Sequence, residues 1–239
     1  MITFHRMKSK NKLFIYSVVF VLLTVSVVFS KFDHDFESII YPSVEITKDY
    51  FPTNTSQKLY YESSMGEAFA STKKVGNNYV LDLRNDDFYF IQTVYFQNDT
   101  VYLSKLDQKV DVLLFISSKS SVTYNRPYLR FPFPLKNGQN WDWKGIEYID
   151  NKNPDSILVS GKVVGEEYLE VPAGRFKCIK FQIDIYKKKN GSHTKFFEWR
   201  TPNIGLVKLE AYIDSKGFIG KVMKLLGYNE MKFELKKIG

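Results

Sequence analysis

The sequence predicts an all-β protein, a single curved antiparallel sheet forming an open barrel or half-barrel, with a helical segment near each end. Three observations predict it. Aromatic residues make up 16% of the chain, including 20 Phe and 16 Tyr, and such side chains suit the pleated surface of a strand. Short β-rich runs recur at hairpin spacing, separated by Asn, Asp and Gly, which tolerate the positive φ of tight turns. Almost no helical period lies between the runs, which argues for a meander over alternating strands and helices. With 239 residues, 44% of them apolar, the chain can bury a core without disulfides or metals.

The first thirty residues stand apart. Arg6, Lys8, Lys10 and Lys12 precede an uncharged run of 18 residues, Leu13 to Ser30. A basic flank holds that end in the cytoplasm, so everything after residue 30 is expected outside the cytoplasmic membrane. Val28 and Ser30 suit signal-peptidase cleavage after Ser30, yet the run is also long enough to span a bilayer. Residues 1–30 are thus a signal peptide or a signal anchor, and residues 13–30 are a membrane contact if uncleaved. The localisation expected is the periplasm or the outer face of the cytoplasmic membrane. Residues 31–50, marked by Pro42, read as a tether, and residues 51–239 as the β domain.

Half of the formal net charge of +8 belongs to the first thirty residues, which carry four basic side chains and no acid. The remainder is mild and interleaved with acids. No concentrated basic face emerges, so nucleic-acid binding is not expected.

Strands are expected at Lys58–Glu62, Glu67–Lys73, Tyr79–Arg84, Phe88–Phe96 and Thr100–Leu106. Further runs follow at Lys109–Ser117, Ser121–Tyr124, Ile157–Tyr168, Phe176–Lys188, His193–Arg200 and Gly205–Ile213. Ile179, Phe181, Ile183 and Ile185 share a face opposite Lys180, Gln182 and Asp184, the mark of a half-buried strand. Phe88–Phe96 is apolar or aromatic on both faces and needs a second cover, either protein or a bound apolar ligand. Phe218, Ile219, Val222, Leu225 and Leu226 fall on one helical face, which predicts a short amphipathic helix near 217–227. A closing strand is expected near 230–237.

Three motifs stand out. Phe131-Pro132-Phe133-Pro134-Leu135 leads to Gly138 and then to Trp141 and Trp143; two prolines at alternate positions do not suit the inside of a hydrogen-bonded central strand, so this is expected to be an edge or crossover. Val171-Pro172-Ala173-Gly174 leads to Phe176 and Cys178, where Pro172 presets a turn and Gly174 supplies positive φ. Trp199, Pro202 and Gly205-Leu206-Val207-Lys208 again read as strand, tight turn, strand. In this order and spacing the motifs resemble a family of bacterial exported proteins of unknown function. Its shared features look like P-L-x-x-G-x-x-W, V-P-A-G-x-F-x-C and W-x-x-P-x-x-G-L-V-K, and the match covers Tyr50 to Ala211. That family is similar in fold to the periplasmic lipoprotein-carrier half-barrels, in which a curved sheet wraps an apolar groove. The resemblance implies a fold and a compartment, and no catalytic residue.

Catalytic constellations fail one after another. His5 precedes the apolar run, His34 lies in the tether, and His193 follows a turn; no serine has an identifiable histidine partner. Asp86-Asp87 and Glu166-Glu167 are consecutive, so their side chains point apart. A lone cysteine, Cys178, excludes a disulfide framework and any multi-thiolate metal site. No enzyme, cofactor or metal is expected. Two functions remain open. The leading one is a non-catalytic cell-envelope protein that binds an apolar ligand, a lipid or lipid-like molecule, or a partner surface. Its candidate residues are Trp141, Trp143, Phe197 and Trp199, near turns that could rim a groove. The other is a scaffolding envelope protein with a filled core and no ligand.

Overall fold

The computed structural model describes residues 45–113, 116–189, 191–214 and 230–239. They form twelve antiparallel strands: β1 (Lys58–Ser63), β2 (Ala68–Val75), β3 (Asn78–Arg84), β4 (Phe88–Gln97), β5 (Thr100–Leu113), β6 (Ile116–Pro132), β7 (Asn140–Ile149), β8 (Lys152–Val171), β9 (Gly174–Lys187), β10 (His193–Thr201), β11 (Gly205–Asp214) and β12 (Glu230–Ile238). Each pairs with its neighbours in sequence, as a meander does. The last strand then pairs back with the first, from Leu59 opposite Ile238 to Ser63 opposite Phe233.

This pairing corrects the expected open barrel or half-barrel: the sheet is a closed barrel. Alternation within a strand says which face is buried, but not whether the two terminal strands find each other. Here Phe233 and Leu235, both fully buried, join Tyr61 in the core, and closure also pairs two edges that would otherwise be exposed. β12 occupies the expected closing strand. The amino-terminal helix with its cleavage site after Ser30, and the helix near 217–227, lie outside the described residues.

One expected strand also needs correction. Lys109–Ser117 straddles a hairpin, because β5 ends at Leu113 and β6 begins at Ile116, with those two residues paired. That stretch carries no Gly, Pro, Asn or other turn residue beyond Asp111, so its apolar run concealed the reversal.

Strands that are not neighbours, three and four places apart around the barrel, meet across its interior. Phe88 on β4 meets Phe233 on β12 with ring centroids 5.7 Å apart, and Phe131 on β6 meets Phe181 on β9 at 5.1 Å. Twelve strands in an open circle would leave a lumen; these contacts fill it with side chains. Two apolar clusters result, one around Phe131, Trp141 and Phe181, the other around Tyr61, Phe88 and Phe233.

Residues 45–52, most of which the sequence assigns to the tether, cross one end of the barrel. Ile46 exchanges two backbone hydrogen bonds with Leu135, at 2.8 and 2.9 Å. A 3-10 turn follows at Lys48–Tyr50. The Asn203 amide donates to the Asp49 carbonyl at 2.9 Å, and Lys48 meets Asp99 at 2.8 Å. Phe51 then drops into the core against Phe96 and Phe131. This strap ties the β4–β5, β6–β7 and β10–β11 connections together.

Candidate functional site

The barrel interior is where an apolar ligand would have to go, and its residues are already packed. Trp141 and Trp143 alternate along β7 and both point inward, 8% and 6% exposed. Each indole packs against a glycine, Trp141 against Gly161 and Trp143 against Gly145, leaving no room for a Cβ at either position. Trp143 Nε1 donates to the Pro127 carbonyl at 2.8 Å, and its ring meets Tyr124 and Tyr128 edge-on. Alternation along β10 sends Phe197 and Trp199 to the opposite face of the sheet from Glu198 and Arg200. Trp199 is buried there between Lys180 and Lys208, whose ammonium groups lie 4.6 and 4.9 Å from its ring centroid. Its Nε1 donates to Glu167, and Phe197 packs beside it. The four aromatic candidates therefore divide between the two clusters and share no common rim.

The turn residues occupy the connections. The Phe133–Pro134 peptide is cis, and Gly138, Gly174 and Gly205 have φ of 77°, 127° and 88°. Pro172 lies in the β8–β9 turn, whose Ala173 amide donates to the Leu235 carbonyl at 3.0 Å. Pro202 lies in the β10–β11 turn beneath the strap. Cys178 is buried, and burial with Glu167 nearby pushes its thiol up to about 12, which removes thiolate reactivity at neutral pH.

Deep in the first cluster the structure assembles charges that the motifs do not reveal. Glu198 bonds Arg200 Nε at 2.7 Å and also pairs with Arg130 from across the barrel. All three side chains are nearly inaccessible. Burial alone would raise the Glu198 carboxyl, but the two guanidinium groups hold it down to about 2. Phe51 and Phe131 lie 4.7 and 5.3 Å from the Arg200 guanidinium carbon. The sequence did carry a signal for this: Glu198 and Arg200 share parity with Phe196, on the face opposite Trp199.

The outer wall is polar across β9 to β12. Cross-strand partners Lys180, Trp199, Lys208, Glu234 and Glu62 form one row around the barrel. Lys208 bridges Glu210 at 2.7 Å and Glu234 at 3.5 Å, and Lys232 meets Glu234 at 2.9 Å. A lipid-facing barrel needs an apolar outward band, and this wall presents ion pairs instead.

A groove of about 720 Å³ breaks the outer wall at the β6–β7 junction and runs over β8 to the end of β9. Backbone pairing of β6 with β7 is confined to Val122–Tyr124 against Glu147–Ile149. Next to it, side chains bridge the strands: Asn125 Oδ1 accepts from the Ile146 amide at 2.8 Å, and Arg126 Nε donates to the Lys144 carbonyl at 2.7 Å. Register places Lys144, Leu158 and Tyr186 in one outward row, with His193 stacked on Tyr186 at 4.3 Å. Sequence reasoning missed this site because its members are scattered over four strands. Among the described residues no group of three or more His, Cys, Asp or Glu could hold a metal ion.

The described residues form a closed meander barrel with a tightly packed interior and an ion-paired outer wall. The chain belongs to the DUF3108-like family, whose model matches residues 94–224, a stretch that contains all three sequence motifs. No curated protein matches the chain. Similar solved structures include a conjectured lipoprotein from Parabacteroides distasonis, 15% identical, with a TM-score of 0.41 over 80% of this chain and 98% of that one. Another is a conjectured exported protein with a YmcC-like fold from Bacteroides fragilis, 14% identical, TM-score 0.41, covering 79% and 97%. The hypothetical lipoprotein YmcC from Escherichia coli is 11% identical, TM-score 0.37, covering 76% and 83%.

Proposed function

We propose that this protein is a non-catalytic, exported component of the bacterial cell envelope that works from the outside of a filled barrel. The observation that carries this reading is the close packing of Trp141 against Gly161 and of Trp143 against Gly145, within an interior crossed by aromatic contacts between non-neighbouring strands. A carrier of apolar molecules needs a space that these rings occupy. The ion-paired rows of β9 to β12 support a barrel bathed in water, and the basic flank and apolar run of residues 1–30 support export. Of the two functions left open by the sequence, the scaffold is therefore the better supported.

Native mass spectrometry of the full-length chain purified from cells tests it. The bare chain mass is expected. A stoichiometric lipid adduct that survives in a Lys144→Gln/Lys188→Gln variant would locate a ligand away from the groove and revive the carrier. Amino-terminal sequencing checks the export route: a start at Lys31 means a released protein, a start at Met1 an anchored one, and digestion of the barrel only from the cytoplasmic side would overturn export.

A further inference from the structure

We propose that the groove over the β6–β7 junction binds a phosphate-bearing ligand, the phosphoryl group lying among Arg126, Lys144 and Lys188 and the rest of the molecule against Leu158 and Tyr186. This builds on the reading that the barrel works from its outer surface.

Lys208, Lys232 and Lys236, outward on β11 and β12, meet carboxylates. The groove departs from that pattern. Its lining contains four basic side chains and no acidic one. Lys187 is already engaged by Glu147 at 2.5 Å. Arg126, Lys144 and Lys188 have no carboxylate partner among the described residues. Arg126 is also held in place: its guanidinium carbon lies 5.4 Å from the Trp143 ring, and Nε bonds the Lys144 carbonyl. A fixed guanidinium beside two flexible ammonium groups suits a phosphoryl group, which offers several charged oxygens to donors from different directions.

Two of the three nearby acids are already engaged. Asp184, one row along the wall, is occupied by His193 at 2.7 Å and by Gln182 at 2.6 Å. Asp155 is buried and accepts from the Lys189 amide. Asp142 is exposed one row beyond Lys144 and forms no ion pair among the described residues.

Shape and apolar exposure complete the site. Leu158 and Tyr186 are cross-strand partners, 37% and 45% exposed, between the cations from β6–β7 and the one that follows β9. Stacking on His193 holds the Tyr186 ring flat against the wall. Cations flanking exposed apolar side chains match a ligand with a charged head and a less polar body.

Binding is tested on the full-length chain in neutral detergent with two probes, inorganic phosphate and dihexanoyl phosphatidylglycerol below its critical micelle concentration. Both are titrated calorimetrically at low salt. At least one probe is expected to bind, and to weaken as salt rises because the contact is electrostatic. Tighter binding of the lipid assigns the phosphate to a headgroup; equal binding assigns it to a free anion. Lys144→Gln/Lys188→Gln should lower affinity by about tenfold or more with an unchanged melting temperature, since each lost charge-assisted bond weakens the complex several-fold. Tyr186→Ala should weaken the lipid alone. Lys73→Gln, on the exposed part of β2, should change nothing. No binding of either probe, or full binding by the double variant, overturns the proposal. A bare mass in the native spectrum combined with absent phosphate binding would remove this site and leave the filled-barrel reading intact.

Discussion

At the scale of single residues, the costliest feature is a carboxylate between two guanidinium groups in the core. Glu198 has a folded-state pKa near 2 against an ordinary value of 4.5. A depressed carboxylate stabilises the fold above its unfolded pKa and loses that contribution as pH falls toward the folded one. Stability should therefore be flat above about pH 5 and drop by roughly 3 kcal/mol between about pH 4.5 and 2. Glu198→Gln strands two buried cations and should cost roughly 3–5 kcal/mol at neutral pH, while removing most of that acid dependence. Urea unfolding at stepped pH measures both, and an equal slope in wild type and variant would contradict the triad's role. Gly205 offers a second test. Its φ is 88° and a Cβ would approach Pro52 of the strap to 3.0 Å, whereas Gly174, at φ 127°, has open space around it. Backbone strain alone costs about 1–3 kcal/mol, so both valine variants should melt lower, Gly205→Val by more because it adds the clash. Equal melting temperatures for the two would mean that the strap simply moves aside.

At the scale of elements, the strap and the β5–β6 hairpin show what patterning conceals. Residues 45–52 have no period of their own, because a strap spans turns instead of lying in a sheet. Its anchoring is unequal along its length. Phe51 is 2% exposed and in contact with Phe96 and Phe131, so Phe51→Ala should cost about 3–5 kcal/mol. Lys48 and Asp99 are both more than half exposed, and Lys48→Gln should leave thermal unfolding unchanged. If the two variants melted alike, the strap would be held by its surface contacts and not by its apolar plug. The strands themselves were largely legible: Ile179 to Ile185 alternate with polar residues, and β9 buries that face. β6 was not, since its run from Ile116 to Pro132 mixes Ser, Lys and Tyr without a steady alternation, and its register with β5 shifts at bulges. Bulges reset the inside–outside parity, so a period-2 reading fails across them.

For the molecule as a whole, closure decides what the apolar strands face. The same strands left open would present Phe131, Trp141 and Phe181 as a groove wall; closed, with walls in contact, they form a core. The triad spans that core from β6 to β10 and ties together strands that are not neighbours in the sheet. By itself the sequence determined the β class, the meander order, the closing strand and the turns at Gly174 and Gly205, because alternation and turn chemistry are local properties. Only the tertiary structure decided that β1 meets β12, that Arg130 reaches Glu198, and that Arg126, Lys144 and Lys188 line one groove with Tyr186. Those are contacts between residues far apart in the chain, fixed by strand register and barrel closure, and no local pattern of side chains records them.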